Sequence, residues 1–374
     1  MAHERSFRMQ AQPNRADARG IHLAHGYGLK VHVYRDHLIV QDGIGRQRHN
    51  RRFHRATSGL KRLVVIGHSG YITFDAMRWL HDTGAAFIQI DTDANLIAAS
   101  APARHHESKL RRAQALAPET GLARIALVDL LAAKLEAQAA LVERLAHLRP
   151  EIIVGKTRSV SPQQRIREHA RLLHPELEIP RLRQIEAAAG RNYWQTWARL
   201  PVAIESGWAK HVPDHWHHAG PRTSHAETKG RARKATSPVH AMLNYTYAIL
   251  EAEATIACHT MGLDPSLGIM HTDLRYRGSL ATDLMEPARP AADAFVLDLL
   301  ESRTLQRGDI LETREGVCRI GPSLATELAQ SACALRGAVA PHAENLARTL
   351  SRSDDHATPL TRTRHLRAVG YVPA

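Results

Sequence analysis

From Leu29 onward the chain alternates. In LKVHVYRDHLIVQDG the apolar residues Leu29, Val31 and Val33 recur at every second position, the period of a strand with one face turned to a core. Asp42-Gly43 closes the run and predicts a hairpin turn. The runs LKRLVVIG and AAFIQIDT read as further strands. Between them YITFDAMRWLHDTG reads as a short helix, with Thr73 at its N-cap and Gly84 just past its end. After SAPARHHES the period changes to that of helices. LARIALVDLLAAKLEAQAALVERLAHL is dominated by alanine and leucine, and helical patterning continues to about residue 335. The pattern therefore predicts an α+β protein, with a mainly β domain over residues 1–105 and an α-helical domain over 106–340. Residues 341–374, with Arg348, Arg352, Arg362, Arg364 and Arg367 and no clear apolar period, are expected to form a mobile basic tail. No internal repeat is visible.

Three helical segments matter for chemistry. In PRLRQIEAAAGRNYWQTWARL, Leu182, Ile185, Ala189, Tyr193 and Trp197 make an apolar stripe, with Glu186 at its side. Gly190, one turn later, lets a ligand or another backbone approach closely. In SPVHAMLNYTYAILEAEATIACHTMG the stripe is Met242, Tyr245, Ile249, Ala252 and Ile256, ending at Gly262; this is read as core scaffold. In LGIMHTDLRYRGSLATDLMEP, His271 ends a short apolar run and Ser279 is placed to cap a helix carrying Asp283 and Glu286 on one face, with Pro287 bending the helix behind them. Two carboxylates side by side repel unless a cation or proton intervenes. Either they mark an exposed helix start, where the dipole favours acids, or they join an imidazole around a divalent metal; spacing leaves both open.

Composition narrows the partners. The chain has 374 residues, 44% of them hydrophobic, and so can bury more than one sizeable core. A formal net charge of +13 and a pI near 10.1 favour polyanions, nucleic acid or anionic lipid. No run of about 18 apolar residues occurs, and MAHERSFRMQAQPNRADARG lacks the apolar centre of a signal peptide, so a cytoplasmic location is expected. Cys258, Cys318 and Cys333 form neither a CxxC zinc site nor a disulfide framework. Residues 46–62 hold Arg46, Arg48, Arg51, Arg52, Arg55, Lys61 and Arg62 without one acid, and KGRARK adds Lys229, Arg231, Arg233 and Lys234; both suit a phosphate backbone. The histidines of KHVPDHWHHAG (His211, His215, His217 and His218, with Asp214) read as a loop in a chain with 25 histidines, and Asp273 as a turn residue.

Five segments, GHSGYITFDAMRWLHDTGAAFIQID, QIEAAAGRNYW, AMLNYTYAILEAE, LGIMHTD and SLATDLMEPARP, follow one another at suitable distances. In that order they resemble the CRISPR-associated integrase, the metal-dependent endonuclease of spacer acquisition, across most of residues 25–335. The resemblance implies a β domain joined to an α-helical domain, in line with the change of period. It also implies a Mg2+ or Mn2+ site built from a glutamate in the IE helix, the histidine motif and an acid of the DLmE segment. By motif these are Glu186, His271 and Glu286, with Asp283 as a nearby acid that orients the site or reaches the metal through water. The activity implied is attack of a 3′-OH, or of water, on a phosphodiester of double-stranded DNA: insertion of spacer fragments into a repeat array. A homodimer formed through the β domain and a small CRISPR-associated partner protein are implied as well. The chain departs from the family at VHAMLNYTY, where His240 and Thr246 replace asparagine and glycine, away from the implied ligands. The alternatives are a catalytically silent DNA-binding scaffold subunit and a structure-specific repair nuclease.

Overall fold

The computed structural model describes residues 20–43, 48–67, 69–100, 107–152, 160–221, 234–271 and 278–351. Eight strands come first: β1 (Ile21–His25), β2 (Leu29–Tyr34), β3 (His37–Asp42), β4 (His49–His54), β5 (Arg62–Ile66), β6 (Gly70–Ile72), β7 (Ala86–Ile90) and β8 (Leu96–Ser100). One sheet has the order β4-β3-β2-β6, antiparallel except for the parallel β2–β6 pair. The other has the order β1-β5-β7-β8, parallel except for β8. Helix α1 (Phe74–Asp82) starts where expected, with the Thr73 hydroxyl accepting from the Ala76 amide at 3.2 Å, and Gly84 follows it at φ +71°.

The alternation of β2 holds, with Leu29 and Val31 buried and Lys30 exposed between them. The sheet also holds a turn that the sequence does not flag. Strands β2 and β3 are joined by Arg35-Asp36, both at positive φ (46° and 63°), the geometry that a two-residue hairpin demands. Aspartate tolerates that region through its short polar side chain, but Arg-Asp is not a pair that composition singles out. Asp42 ends β3 and Gly43 opens the connection to the antiparallel strand β4, where the sequence reading places a turn.

The β1-β5-β7-β8 sheet is covered on both faces. Leu63, Val65 and Phe87 pack with Val31, Val40, Trp79 and Leu80 in a core between the two sheets. Val64, Ile88 and Ile90 face the other way, into a core shared with the helices. This double burial is why these strands read as continuous apolar runs rather than alternating ones. The joint between sheet and helices also holds an ion pair: Arg62, on β5, donates from Nε to Glu253 Oε1 at 2.6 Å and from Nη2 to Oε2 at 2.9 Å, with both side chains buried. Arg62 thus belongs to the interior, not to a phosphate-tracking stretch.

The helices are α2 (Ser108–Thr120), α3 (Leu122–Leu148), α4 (Pro162–Ala170), α5 (Ile179–Trp197), α6 (Ser206–Ala209), α7 (Pro238–Met261), α8 (Ser279–Met285), α9 (Arg289–Ser302), α10 (Pro322–Ala329) and α11 (Ala332–Ser351). Helix α7 is the central post: its expected stripe is buried, as is most of the rest of its surface, between α11, α8, α9 and strand β8. Two features depart from the sequence reading. A hairpin of β9 (Ile310–Glu312) and β10 (Cys318–Ile320) interrupts the helical region, with strands of three residues too short for alternation to register. Helix α11 runs past residue 340 to Ser351, so the first part of the expected tail is packed structure: Ala343, Leu346, Ala347 and Leu350 are buried while Arg348 is exposed. Two alanines complete that stripe, and alanine is a weak hydrophobic signal. Arg352, Arg362, Arg364 and Arg367 lie outside the described residues. Among the described residues no helix is long and apolar enough to cross a membrane.

Candidate metal centre

Helix α5 buries the stripe Leu182, Ile185, Ala189, Tyr193 and Trp197, which leaves Glu186 at its margin with its side chain 22% exposed. A Cβ at Gly190 would lie 3.7 Å from Glu186 Oε1, so glycine leaves room beside the carboxylate.

Helix α8 brings in the other acids. Its N-cap is Gly278, and Ser279 is its first residue rather than its cap. Asp283 is fully enclosed and faces back onto the chain before His271. Its Oδ2 accepts from the amides of Ile269 (2.5 Å) and Met270 (3.0 Å), and its Oδ1 accepts from the His271 amide at 3.1 Å. The same Oδ1 lies 2.5 Å from His271 Nδ1. One carboxylate therefore fixes both the turn and the imidazole, and Nε2 is the ring nitrogen left for another partner. Pro287 does not kink α8; the helix ends at Met285, Glu286 caps it, and α9 begins two residues beyond the proline. Asp283 and Glu286, expected on one face as a pair, are thus given different neighbours.

Glu286 is buried between two cations. Its Oε2 accepts from Lys134 Nζ at 2.6 Å, and its Oε1 lies 3.2 Å from Arg289 Nη2. Burial by itself would raise the pKa of this carboxyl; the charges of Arg289 and Lys134, the Lys134 hydrogen bond and His271 outweigh it and hold the value at about 2. Lys134, from the middle of α3, also donates to Glu186 Oε1, so one ammonium joins the glutamates of α5 and α8. These groups open on a cleft of about 510 Å³, whose polar lining includes Lys134, Arg183, Glu186, His271, Glu286 and Arg289.

Behind the cleft, Arg289 lies over the ring of Tyr247, 5.2 Å from its centroid. The hydroxyls of Tyr247 (2.5 Å) and Tyr193 (2.6 Å) both donate to the buried carboxylate of Asp293. Burial, then the Asp293 charge, pushes the Tyr193 hydroxyl well above its usual range, so it remains a donor. Helices α5, α7 and α9 are tied together directly beneath Glu186 and Arg289.

Lys134, Arg289 and Asp293 were not singled out from the sequence. A signal for Lys134 was present: a lysine in register with Leu127, Leu131 and Leu135 on a buried face is unusual unless paired. Arg289 stands inside the segment SLATDLMEPARP.

The donor set suits Mg2+ or Mn2+: two carboxylates and an imidazole, the carboxylates already neutralised by a cation between them. Among the described residues no three His, Cys, Asp or Glu side chains surround a common point, and it is Lys134 that stands between Glu186 and Glu286. In the histidine-rich loop, Trp216 is the buried anchor, its Nε1 donating to Thr236 O at 3.1 Å, while His211, Asp214, His215 and His218 lie at the surface. Of KGRARK only Lys234 is described, paired with Glu315 at 2.9 Å; Lys229, Arg231 and Arg233 lie outside the described residues, as do Arg46 and Asp273. Arg48 and Arg55 already engage groups of the chain itself: Gly28 O for the first, Asp36 and Asp82 for the second.

The family model for CRISPR associated protein Cas1 matches residues 24–331. The chain is 28% identical over 270 residues to the CRISPR-associated endonuclease Cas1 1 of Archaeoglobus fulgidus, an alignment covering 70% of this chain and 73% of that protein. A solved casposase bound to integration product has the same fold with a TM-score of 0.72 at 21% identity, covering 94% of this chain and 99% of its own. A Cas1 protein from Thermotoga maritima gives a TM-score of 0.63 at 15% identity, covering 88% and 97% of the two chains. Both structural likenesses bear on the fold: strands first, helices after.

Proposed function

The chain belongs to the CRISPR-associated Cas1 family, and from that premise we propose that it is a metal-dependent DNA endonuclease and integrase centred on the cleft between α3, α5, α8 and α9. Glu186, His271 and Glu286 hold Mg2+ or Mn2+. The observation that carries this reading is a convergence: two glutamates from separate helices share one buried cation, and an imidazole clamped by a third acid lines the same cleft. Burying carboxylates is costly, and packing alone gives no reason to gather them.

A divalent ion held there supplies Lewis-acid polarisation of the scissile phosphate and activation of the attacking hydroxyl. The residues of the chain prepare the ground. Asp283 fixes the tautomer of His271, with the proton on Nδ1 and the Nε2 lone pair free to ligate. Arg183, Arg289 and Lys134 line the cleft and offset the charge of a DNA backbone. Asp293, through Tyr247, keeps Arg289 in place. In strand transfer the oxygen of an incoming 3′-OH bonds to phosphorus, the bond to the target strand's 3′ oxygen breaks, and the proton lost by one hydroxyl is regained by the other. Water in place of the 3′-OH gives hydrolysis.

In the assembly we infer, residues 1–105 dimerise and residues 106–340 are catalytic. The protein acts in the cytoplasm on double-stranded spacer fragments and a repeat array, together with a small CRISPR-associated partner. Lys229, Arg231, Arg233 and Lys234 track phosphates. The charge of +13 suits such a substrate.

The test is strand transfer of a labelled fragment into a repeat-bearing target with Mg2+ or Mn2+. Glu186→Ala, His271→Ala and Glu286→Ala are each expected to abolish transfer while leaving DNA affinity within about twofold, because sequence-independent binding comes from basic side chains. Full transfer by any of the three variants removes that residue from the site.

A further inference from the structure

We propose that Lys134 is a built-in stand-in for the metal: its ammonium group holds Glu186 and Glu286 together until a divalent ion arrives and must then swing out of contact. The proposal rests on the reading of these glutamates as metal ligands.

Charge balance comes first. Glu186 and Glu286 carry two negative charges, and Lys134 and Arg289 two positive ones; the Lys134 and Glu286 side chains are 5% and 4% exposed, while Glu186 (22%) and Arg289 (28%) face the cleft. A dication placed between the two glutamates while Lys134 keeps its contacts would stand against that ammonium, like charge beside like charge, next to the poorly solvated Glu286. Both oxygens of Glu286 are also taken, Oε2 by Lys134 and Oε1 by Arg289. A metal approaching that carboxylate competes with both of them for its oxygens.

The structure decides which one moves. Arg289 is planar, lies over the Tyr247 ring and belongs to the layer fixed by Asp293. Lys134 reaches the glutamates on a flexible four-carbon stem, and its described hydrogen bonds are to the two groups that a metal would take over. Leu127, Leu131 and Leu135 on its own helix are buried, so the α3 backbone stays put while the side chain turns. Before loading, the same ammonium, on α3, keeps two like charges from helices far apart in the chain, α5 and α8, at a fixed separation, a form of preorganisation.

A merely structural lysine and a stand-in predict opposite signs. Removing a structural support loosens the ligands and weakens metal binding; removing a competitor strengthens it. The experiment is Mn2+ titration of the metal-free full chain by calorimetry, at about pH 8 so that ordinary carboxylates (pKa near 4) are ionised. Wild type, Glu186→Gln, Lys134→Met and Lys134→Arg are compared. Lys134→Met is expected to bind Mn2+ roughly tenfold or more tightly than wild type, because the competing ion pair is gone. Lys134→Arg, with a wider grip on both carboxylates, is expected to bind more weakly than wild type. Thermal unfolding gives a second readout: the midpoint of Lys134→Met drops in EDTA, and Mn2+ raises it by more than it raises the wild type. Should Lys134→Met fold only when Mn2+ is present and unfold on chelation, the stand-in is supported; failure to fold even with Mn2+ overturns it, as does equal or weaker Mn2+ affinity. Equal Mn2+ binding by wild type and Glu186→Gln overturns the metal reading itself, separately from any result at Lys134.

Discussion

Oδ1 of Asp283 lies 2.5 Å from Nδ1 of His271 and also accepts the backbone amide of that same residue. The acid on α8 thus holds the histidine by both its ring and its main chain, while Oδ2 secures the two amides before it. Asparagine at this position keeps one acceptor oxygen and loses the charge. Asp283→Asn is therefore expected to lower strand transfer about 10–100-fold and weaken metal binding in parallel, the usual cost of losing an orienting partner. Glu286→Ala is expected to be inactive. Transfer rates measured across a metal titration separate the two; an inactive Asp283→Asn beside an active Glu286→Ala would exchange their roles.

The joint between the two regions gives a stability prediction. Glu253 is 1% exposed and its described partner is Arg62. Arg62→Met leaves a carboxylate buried without its counterion and is expected to cost about 3–5 kcal/mol, whereas Arg62→Met with Glu253→Leu should recover most of the loss, because an apolar pair of similar volume has no charge to desolvate. Urea denaturation of the two single variants and the double variant closes the cycle. Additive losses would mean that the pair is not coupled.

What the sequence showed, it showed through period and motif. The switch from alternation to helical stripes separated sheets from helices, and the stripes of α5 and α7 lie buried as read. What it hid depended on contacts between distant residues. Lys134 lies 52 residues from Glu186 and 152 from Glu286; its register with buried leucines sets it apart from a lysine on a solvated face, but nothing local names its partners. Arg62 reads as one more charge in a basic run until Glu253, 191 residues away, is seen beside it. Asp283 and Glu286 show the same limit: spacing places them on one helix but not the separate neighbours that each meets. The β9–β10 hairpin and the end of α11 failed locally, through strands of three residues and a stripe half made of alanine.

DNA contact by KGRARK is open to a salt titration. Lys234 already pairs with Glu315, so Lys234→Ala removes a cation that is partly spoken for. Arg231→Ala and Arg233→Ala are each expected to make the plot of log affinity against log salt shallower by roughly 0.7–0.9, the value for one lost phosphate contact, and Lys234→Ala by less. Fluorescence anisotropy over a salt series reads the slopes. Slopes unchanged in both arginine variants would assign the segment to structure or to a protein partner instead of DNA.

The last prediction concerns acid. His22, on β1, is buried against the ring of Phe53, with centroids 4.9 Å apart, and its Nε2 has no hydrogen-bond partner among the described residues. Burial first, then the charges of Arg51 and His25, lowers its pKa from 6.5 to about 3. The folded protein thus keeps His22 neutral at pH values where the unfolded chain binds a proton. Its contribution to stability is complete above about pH 6.5 and is lost progressively as pH falls toward about 3. Other groups titrate in the same range: His25 is lowered and acts in the same direction, whereas Asp42 is raised by burial and acts in the opposite one. A difference experiment isolates His22. Leucine is close to histidine in volume and does not titrate, so His22→Leu is expected to gain on wild type by up to roughly 1.4 kcal/mol per pH unit as pH falls through the window from about 6 to about 4. Urea midpoints of both proteins at several pH values measure it; a difference that stays constant with pH would mean that His22 titrates alike in the folded and unfolded chain.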